Sequence, residues 1–373
     1  MGYDEAFRSV IVSQDSYISL ESNHLVLRSR AHGNGTNGSR ACSEGVQKDL
    51  VSKAEAQNNE PQDNKSQGGD SEIQSPSIQN TAMSDDAVQS DSAQKGKIDS
   101  HNTIEARIFL KDIHTIILES RQTTITSALL SALAKHNIIL LTCDETHHIN
   151  GIFHGFLGHF QHAKIAREQI AISHQKKAVL WQKIIKNKIT NQASLLQIMG
   201  KKTESARLNE LAKCVELGDS TNMEAAAASI YFKALFGRGF SRNDASFANS
   251  ALDYGYAIVR ACVVRHVCMS GLLTWLGIKH DNMFNNFNLC DDLIEVFRPC
   301  VDLCVLSLKE GETQEWLSRE HKKSLIAVLQ AEVAIEGQSY PLNRAIARYV
   351  QSFRGALLYG EKFLSVALSR GES

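Results

Sequence analysis

The sequence predicts an α+β protein in which a small β-rich N-terminal domain precedes a mostly α-helical domain. Before about residue 155, short segments alternate apolar and polar side chains, as half-buried strands do. After it, apolar side chains recur at three- and four-residue spacing, which is typical of helices. At 373 residues, the chain also exceeds the usual size of one domain. We therefore expect two domains, at 1–155 and 156–373.

Short strands are predicted on both sides of a long polar segment. We expect those of the first thirty residues to pair antiparallel, because turn residues separate them closely. After the polar segment the strand pattern resumes and then gives way to a helix. The predicted elements are strands at 7–12, 17–20, 25–27, 107–110 and 115–118, a helix at 126–135 and an apolar run at 138–141.

The polar segment at 32–103 interrupts the β domain. It is rich in Gly, Ser, Asn, Gln and Asp, and it contains no Phe, Trp or Tyr. Such a composition cannot bury enough apolar surface to offset the entropy lost on ordering the chain. The sequence therefore predicts a disordered insertion here, which carries six Lys and Arg against eleven Asp and Glu.

The C-terminal half is predicted to be helical and not to span a membrane. Its longest apolar stretch, 254–277, contains Arg260, Arg265 and His266, which would be costly at the centre of a bilayer. It therefore predicts a buried helix. Pro341 begins the last clear helix, because proline is favoured at helix starts.

The start of the chain, MGYDEAFRSVIV, has neither the basic nor the apolar region of a secretion signal. Eight cysteines without such a signal fit reduced thiols better than a disulfide framework. These observations predict a cytoplasmic protein.

Positive charge is concentrated in one helical segment, although the whole chain is nearly neutral. Residues 164–207 include ten basic side chains and only two acidic ones. A long basic helical surface is typical of proteins that bind the phosphate backbone of DNA. The alternative is a solvated face that binds nothing specific. Lys183, Lys186 and Lys188 are the candidate phosphate contacts in this segment.

Glu224 is the first candidate for chemistry. It follows Thr221 by three residues, which is the spacing of a helix capping box, and an Ala-rich helix comes after it. The structural interpretation is that Glu224 only caps this helix. The functional interpretation is that close helix packing holds its carboxylate in a shared cleft.

A second candidate cluster lies between residues 277 and 299. Asn288 is a plausible N-cap, so Asp292 and Glu295 should project from one face of the helix that follows. His280 precedes that helix. An imidazole with two or three carboxylates suits Mn²⁺ and, less well, Mg²⁺. The alternative is a hydrogen-bonded core histidine beside acids that complement the helix dipole.

Several motifs in order carry a resemblance to one known family. They are Phe236-Gly-Arg-Gly-Phe-Ser-Arg242, Asn249-Ser-Ala-Leu-Asp-Tyr-Gly-Tyr256, Gly277-Ile-Lys-His280, Phe287-Asn-Leu289 and Asp292-Leu-Ile-Glu-Val-Phe-Arg-Pro299. With these motifs the chain resembles CRISPR-associated protein 1, in its type II form, over nearly all residues outside 32–103. The segment 107–144 resembles that family's N-terminal β domain. One departure is Asp253, where the family usually has Asn.

This resemblance implies an integrase that inserts short DNA fragments, called spacers, into a CRISPR array through attack of a 3′-hydroxyl on a phosphodiester. It implies that Glu224, His280 and Glu295 bind Mg²⁺ or Mn²⁺ and that Asp292 supports them. Arg242 and Tyr254 would lie near the bound DNA; the alternative is that Tyr254 and Tyr256, at the start of a long apolar helix, are core aromatics. The expected partners are double-stranded DNA, a second copy of the chain, and CRISPR-associated protein 2 in a heterohexamer. The helical domain would carry both catalysis and DNA binding.

Two alternatives remain open. The chain could be a non-catalytic DNA-binding scaffold of the same complex, with the acidic cluster serving only structure. It could instead be a zinc protein, because five histidines lie close together near the expected domain junction, although without regular paired spacing. They are His147, His148, His154, His159 and His162.

Overall fold

A computed structural model describes residues 8–30, 98–99, 103–145, 149–155, 159–308 and 317–368. The predicted disordered insertion at 32–103 lies outside these residues, apart from a two-residue strand at Ile98–Asp99 and the start of the strand at Thr103.

The N-terminal half is built from short strands and one helix. The helix was predicted at 126–135; it spans Ser127–Lys135, and the Thr126 side chain caps it by accepting from the Leu129 backbone N–H. The elements are β1 (Arg8–Val12), β2 (Ser16–Glu21), β3 (His24–Arg30), β4 (Ile98–Asp99), β5 (Thr103–Phe109), β6 (Ile113–Leu118), β7 (Thr124–Ile125), α1 (Ser127–Lys135), β8 (Ile139–Cys143) and β9 (Ile149–Phe153).

These strands form two sheets. One has the order β4-β5-β3-β2-β7, and its β2–β3 pair is antiparallel, as predicted. The other has the order β1-β6-β8-β9, and here β1 pairs in parallel with β6, as β6 does with β8. The prediction that the first strands are all antiparallel is therefore wrong for β1, because its partner lies about a hundred residues away in the chain.

The C-terminal half is mostly helical, as the apolar spacing predicts. Pro341 directly precedes the last helix, as predicted. The elements are α2 (His162–Ile170), α3 (His174–Ile198), α4 (Lys202–Cys214), α5 (Met223–Phe236), α6 (Phe247–Met269), α7 (Asn288–Ile294), α8 (Arg298–Ser307), α9 (Arg319–Ala327), β10 (Glu332–Ile335), β11 (Gln338–Pro341), α10 (Leu342–Tyr359) and β12 (Val366–Leu368).

Two features of this half differ from the prediction. The buried helix predicted at 254–277 is present as α6, but it ends at Met269, and Gly271 follows with a φ of 76° that favours glycine. A three-stranded antiparallel sheet with the order β11-β10-β12 lies among the helices and was not predicted.

The buried apolar residues form two clusters. The smaller joins the two N-terminal sheets and α1. The larger fills the helical half and includes Ile117, Ile139 and Leu141, so one face of the β1-β6-β8-β9 sheet packs against the helices. The domain boundary at residue 155 stays a prediction. In the described ranges, no helix is both long and apolar enough to cross a bilayer.

Candidate functional site

Glu224 lies in the first turn of α5, and its side chain is not used to cap that helix. The Asp219 carboxylate caps it instead, accepting from the backbone N–H groups of Met223 at 2.8 Å and Glu224 at 3.1 Å. The predicted capping box with Thr221 is therefore wrong. Because Asp219 satisfies the helix start, the Glu224 carboxylate can contact other groups.

Glu224 and Glu295 meet at one ammonium group. Lys188 extends from α3, and its Nζ lies 2.6 Å from Glu224 Oε1 and 2.5 Å from Glu295 Oε2. Arg298 Nε contacts the other Glu295 oxygen at 3.0 Å. Glu295 is only 4% exposed, whereas the Glu224 side chain is 29% exposed. Two carboxylates separated by seventy residues in sequence therefore share one cation.

The opposite charges in this cluster favour each other's ionised forms. Desolvation alone would raise the pKa of Glu295, but the positive charges of Lys188 and Arg298 outweigh it and lower that pKa to about 2. Desolvation likewise opposes the charge on Lys188, and the two glutamates outweigh it, so its pKa is raised. Both groups are therefore ionised in this structure at neutral pH.

His280 lies in the loop before α7 and is held by Asp292. The fully buried Asp292 carboxylate contacts His280 Nδ1 at 2.8 Å and accepts from the backbone N–H groups of Ile278, Lys279 and His280. The hydrogen bond to Asp292 raises the pKa of His280 against the effect of desolvation, and the Glu295 charge adds to this rise. Nε2 is therefore the ring nitrogen left for a further ligand.

Close approach of the backbone to Asp292 requires glycine at position 277. A Cβ added to Gly277 would lie 2.2 Å from the His280 carbonyl oxygen and 2.8 Å from Asp292 Oδ2. Asn288 supports the same loop by donating to the carbonyl oxygens of Trp275 and Asn282. It is the first residue of α7, and Phe287 is the N-cap, so the prediction of Asn288 as N-cap is wrong.

The side-chain types of the three candidate ligands fit a divalent cation, although their ligand atoms do not all lie as close together as the ligands of one ion. Among the described residues, Glu224, His280 and Glu295 do not form a trio whose ligand atoms all lie within 4.8 Å of one another. Glu295 Oε2 is buried and lies 2.5 Å from Lys188 Nζ, so this position already accommodates a positive charge. Two carboxylates with an imidazole suit Mn²⁺ or Mg²⁺.

The five predicted DNA contacts have different surroundings. Lys183 is exposed and Lys186 half-buried on α3. Lys188 is buried between the glutamates, so it does not offer a surface contact to phosphate in this structure. Tyr254 is 2% exposed, and the Lys322 ammonium lies 5.8 Å from its ring centroid, so it too lies beneath the surface.

Arg242 is held by two neighbours. Its guanidinium donates to Asn249 Oδ1 at 2.5 Å and forms an ion pair with Asp253. Asp253 therefore supplies a charged partner for Arg242, whose guanidinium also lies 5.6 Å from the centroid of the Tyr256 ring.

The basic segment at 164–207 covers α2, α3 and the start of α4. Six of its ten basic side chains are exposed, so this segment can contact a phosphate backbone. The exposed members are Lys164, Arg167, Lys183, Lys201, Lys202 and Arg207.

The histidine-rich junction does not form a metal site among the described residues. His147 and His148 lie outside them. His154 Nδ1 contacts Cys268 Sγ at 3.4 Å, and the His159 ring stacks on Phe160.

Known proteins are similar to this chain in sequence and in fold. A family model described as "CRISPR associated protein Cas1" matches residues 83–326. The CRISPR-associated endonuclease Cas1 of Neisseria meningitidis serogroup C (strain 8013) is 43% identical over 249 residues, which cover 66% of this chain and 82% of that protein.

Two solved structures have the same fold at low sequence identity. A casposase bound to an integration product has a TM-score of 0.67 at 15% identity, covering 98% of this chain and 96% of the casposase. A chain of a Cas6-RT-Cas1–Cas2 complex has a TM-score of 0.59 at 16% identity, covering all of this chain and 37% of the other. The family model covers more than half of the sequence, and the fold agrees with it; the chain belongs to the Cas1 family of CRISPR-associated proteins.

Proposed function

We propose that this chain is a metal-dependent DNA endonuclease and integrase of the type II form, which joins short DNA fragments to a CRISPR array. The observation that carries the proposal is the meeting of the Glu224 and Glu295 carboxylates at the Lys188 ammonium, 2.6 and 2.5 Å away. Carboxylates from the start of α5 and from the turn after α7, brought together around one cation, are arranged as a cation-binding site. The runs of residues shared with the type II form support the finer assignment.

Glu224, His280 and Glu295 would hold the ion, which we propose to be Mg²⁺ or Mn²⁺. When bound, such an ion polarises a scissile phosphate and stabilises negative charge on the attacking or leaving oxygen. The chain's own residues prepare this site. Asp292 fixes the ring and the tautomer of His280 through Nδ1, and Arg298 holds one oxygen of Glu295.

The exposed basic side chains of α2, α3 and α4 would bind the DNA backbone. Strand transfer by a 3′-hydroxyl needs no protein nucleophile, because it requires alignment of the attacking oxygen, the phosphorus and the leaving oxygen. The protein's task is therefore to grip both DNA molecules and hold the reacting phosphate beside the glutamates. Lys183 and Lys186 on α3 are the proposed phosphate contacts nearest in sequence to Lys188.

We further propose that the chain forms a homodimer and assembles with CRISPR-associated protein 2 in a heterohexamer. A relative with the same fold is part of a complex named as Cas1–Cas2, which supports this partner. Double-stranded DNA, both as spacer fragment and as repeat, completes the assembly. These substrates lie inside the cell, so the proposed location is cytoplasmic.

The test is half-site integration with the untagged chain and its cognate CRISPR-associated protein 2. A fluorescent short duplex with 3′-hydroxyl ends is incubated with a leader–repeat duplex in Mn²⁺, and the joined product is quantified. We expect Glu224→Gln to lower the rate at least about 100-fold, as loss of one electrostatic stabiliser of a transition state does. Glu210→Gln, an exposed glutamate on α4, is the matched control and should retain full activity.

Two results would contradict this function. Equal joining by wild type and Glu224→Gln would remove the catalytic assignment. Joining of a fragment whose 3′ ends lack the hydroxyl would remove the proposed nucleophile. A non-catalytic scaffold, the alternative function, would bind both duplexes in a gel-shift assay and join neither.

A further inference from the structure

A second cluster of metal-binding side chains lies far in sequence from the glutamates. His114 comes from β6 in the N-terminal half, whereas Cys262 and His266 come from α6 and lie one helical turn apart. All three side chains are buried. The cluster therefore bridges the β1-β6-β8-β9 sheet and the helix that packs against it.

The geometry of this cluster is compact. His114 Nε2 lies 3.3 Å from Cys262 Sγ, and the three ligand atoms all lie within 4.8 Å of one another. In the described part of the chain this is the only such trio. The other ring nitrogen of His114, Nδ1, is 2.6 Å from Thr115 Oγ1. A hydrogen bond at the second nitrogen is the usual way in which a metal-binding histidine is oriented.

We propose that His114, Cys262 and His266 bind one zinc ion that links the two halves of the chain. Imidazole nitrogens with a thiolate suit zinc, whereas Mg²⁺ and Mn²⁺ prefer oxygen ligands. Binding replaces the thiol proton of Cys262 with a zinc–sulfur bond and releases that proton to solvent. Three protein ligands leave the fourth position of a tetrahedral ion to a small exogenous ligand.

This site is independent of the proposed catalytic function. None of its residues belongs to the proposed site of Glu224, His280 and Glu295, and its donor atoms are nitrogen and sulfur. It also differs from the zinc site considered from the sequence, which used other histidines. The competing explanation is a buried thiol–imidazole hydrogen bond without metal. Cys268 on the same helix offers an internal comparison, because its 3.4 Å contact with His154 does not belong to such a trio among the described residues.

The test is metal analysis of the full chain, purified without a histidine tag from cells grown with added zinc. We expect about one zinc per chain in wild type and only background zinc in Cys262→Ala. Cys268→Ala should keep the metal, since it removes a neighbouring thiol outside the trio. Glu295→Gln should also keep it, which separates this zinc from any ion at the glutamates.

Cobalt substitution gives a second measurement that does not depend on activity. Refolding wild type with Co²⁺ should produce a thiolate-to-cobalt charge-transfer band, which Cys262→Ala should lack while circular dichroism reports whether that variant is folded. Wild type without zinc and without the cobalt band would overturn the proposal. So would zinc retained at the wild-type level in Cys262→Ala.

Discussion

Lys188 and Glu295 form an ion pair in which Nζ and Oε2 are 2.5 Å apart and both side chains are less than a tenth exposed. Breaking a buried pair by removing one partner is costly, because the remaining charge stays buried without compensation. The pair also places a lysine where the proposed divalent cation would interact with the same carboxylates. Lys188 should therefore stabilise the metal-free protein and compete with the metal.

Lys188→Met separates these two effects. Without metal, we expect the variant to lose about 3 kcal/mol of unfolding free energy, because the buried Glu295 would keep, among the described residues, only the half-buried Arg298 as an ion-pair partner. With Mn²⁺, the increase in stability should be larger than in wild type, because the ion no longer displaces an ammonium group. Urea unfolding with chelator and with Mn²⁺ measures both quantities.

Lys183→Met is the matched control, because it removes the same charge from an exposed position on the same helix. It should change neither stability nor the response to Mn²⁺ appreciably. A Lys188→Met variant that is as stable as wild type in chelator would show that the buried pair does not stabilise the fold.

The pKa of Glu295 predicts how stability depends on pH without metal. It falls from 4.5 in the unfolded chain to about 2 in the folded protein. A lowered carboxyl pKa contributes stability above the unfolded value, and this contribution disappears as the pH falls toward the folded value. The contribution is about 3 kcal/mol, lost progressively between pH about 4.5 and about 2. Chemical unfolding in chelator across this range tests it.

Glu295→Gln removes the titrating group but keeps the side-chain shape. The variant should be less stable than wild type at pH 7, and the difference should shrink as the pH is lowered. A constant difference between pH 6 and pH 3 would contradict the lowered pKa.

The helices could be predicted from the sequence, whereas much of the sheet pairing could not. Thr126 is a local cap signal, and the structure uses it. The parallel pairing of β1 with β6 is set by packing between distant segments, which periodicity does not report.

The β10–β11 hairpin had a local signal that was missed. Glu336 and Gly337 both have positive φ in a two-residue turn, a conformation that favours glycine there.

The burial of Lys188 could also have been inferred from helix periodicity. Trp181, Ile184 and Ile185 are buried on α3, and Lys188 follows Ile184 by four residues, on the same face. Charge counting alone grouped it with the exposed Lys183. The ion pairs that hold it depend on Glu224 from α5 and Glu295 from the turn after α7, and that convergence is set by tertiary packing.

Asp292 should act as a positioning residue for His280. In Asp292→Asn, the side-chain NH₂ group is itself a donor and would point at backbone N–H groups that donate to the carboxylate in wild type. The negative charge that raises the His280 pKa would also be lost. We expect the His280 titration to move to lower pH and integration to fall roughly 10- to 100-fold. NMR of histidine-labelled protein measures the titration, with His280→Gln identifying the resonance. An unchanged His280 titration would contradict this role.

Tyr254 should not contact DNA. Its ring is buried, and its hydroxyl has no hydrogen-bond partner among the described residues. Tyr254→Phe should therefore leave stability within about 1 kcal/mol of wild type, since no hydrogen bond is lost. It should also leave the affinity for duplex DNA unchanged in fluorescence anisotropy. A loss of affinity in a folded Tyr254→Phe variant would place this tyrosine at the DNA surface.

Lys183 and Lys186 of α3 should contribute to DNA binding through phosphate contacts. Each contact releases counterions, so the slope of log K against log salt for duplex DNA is about −0.9 per neutralised phosphate. Replacing both Lys183 and Lys186 with alanine should make that slope less steep by about 2, if each lysine contacts one phosphate. Lys213→Ala, an exposed lysine on α4 outside the basic segment, should leave the slope unchanged. Anisotropy titrations at several salt concentrations compare the three proteins. Equal slopes would show that this face of α3 does not contact the duplex.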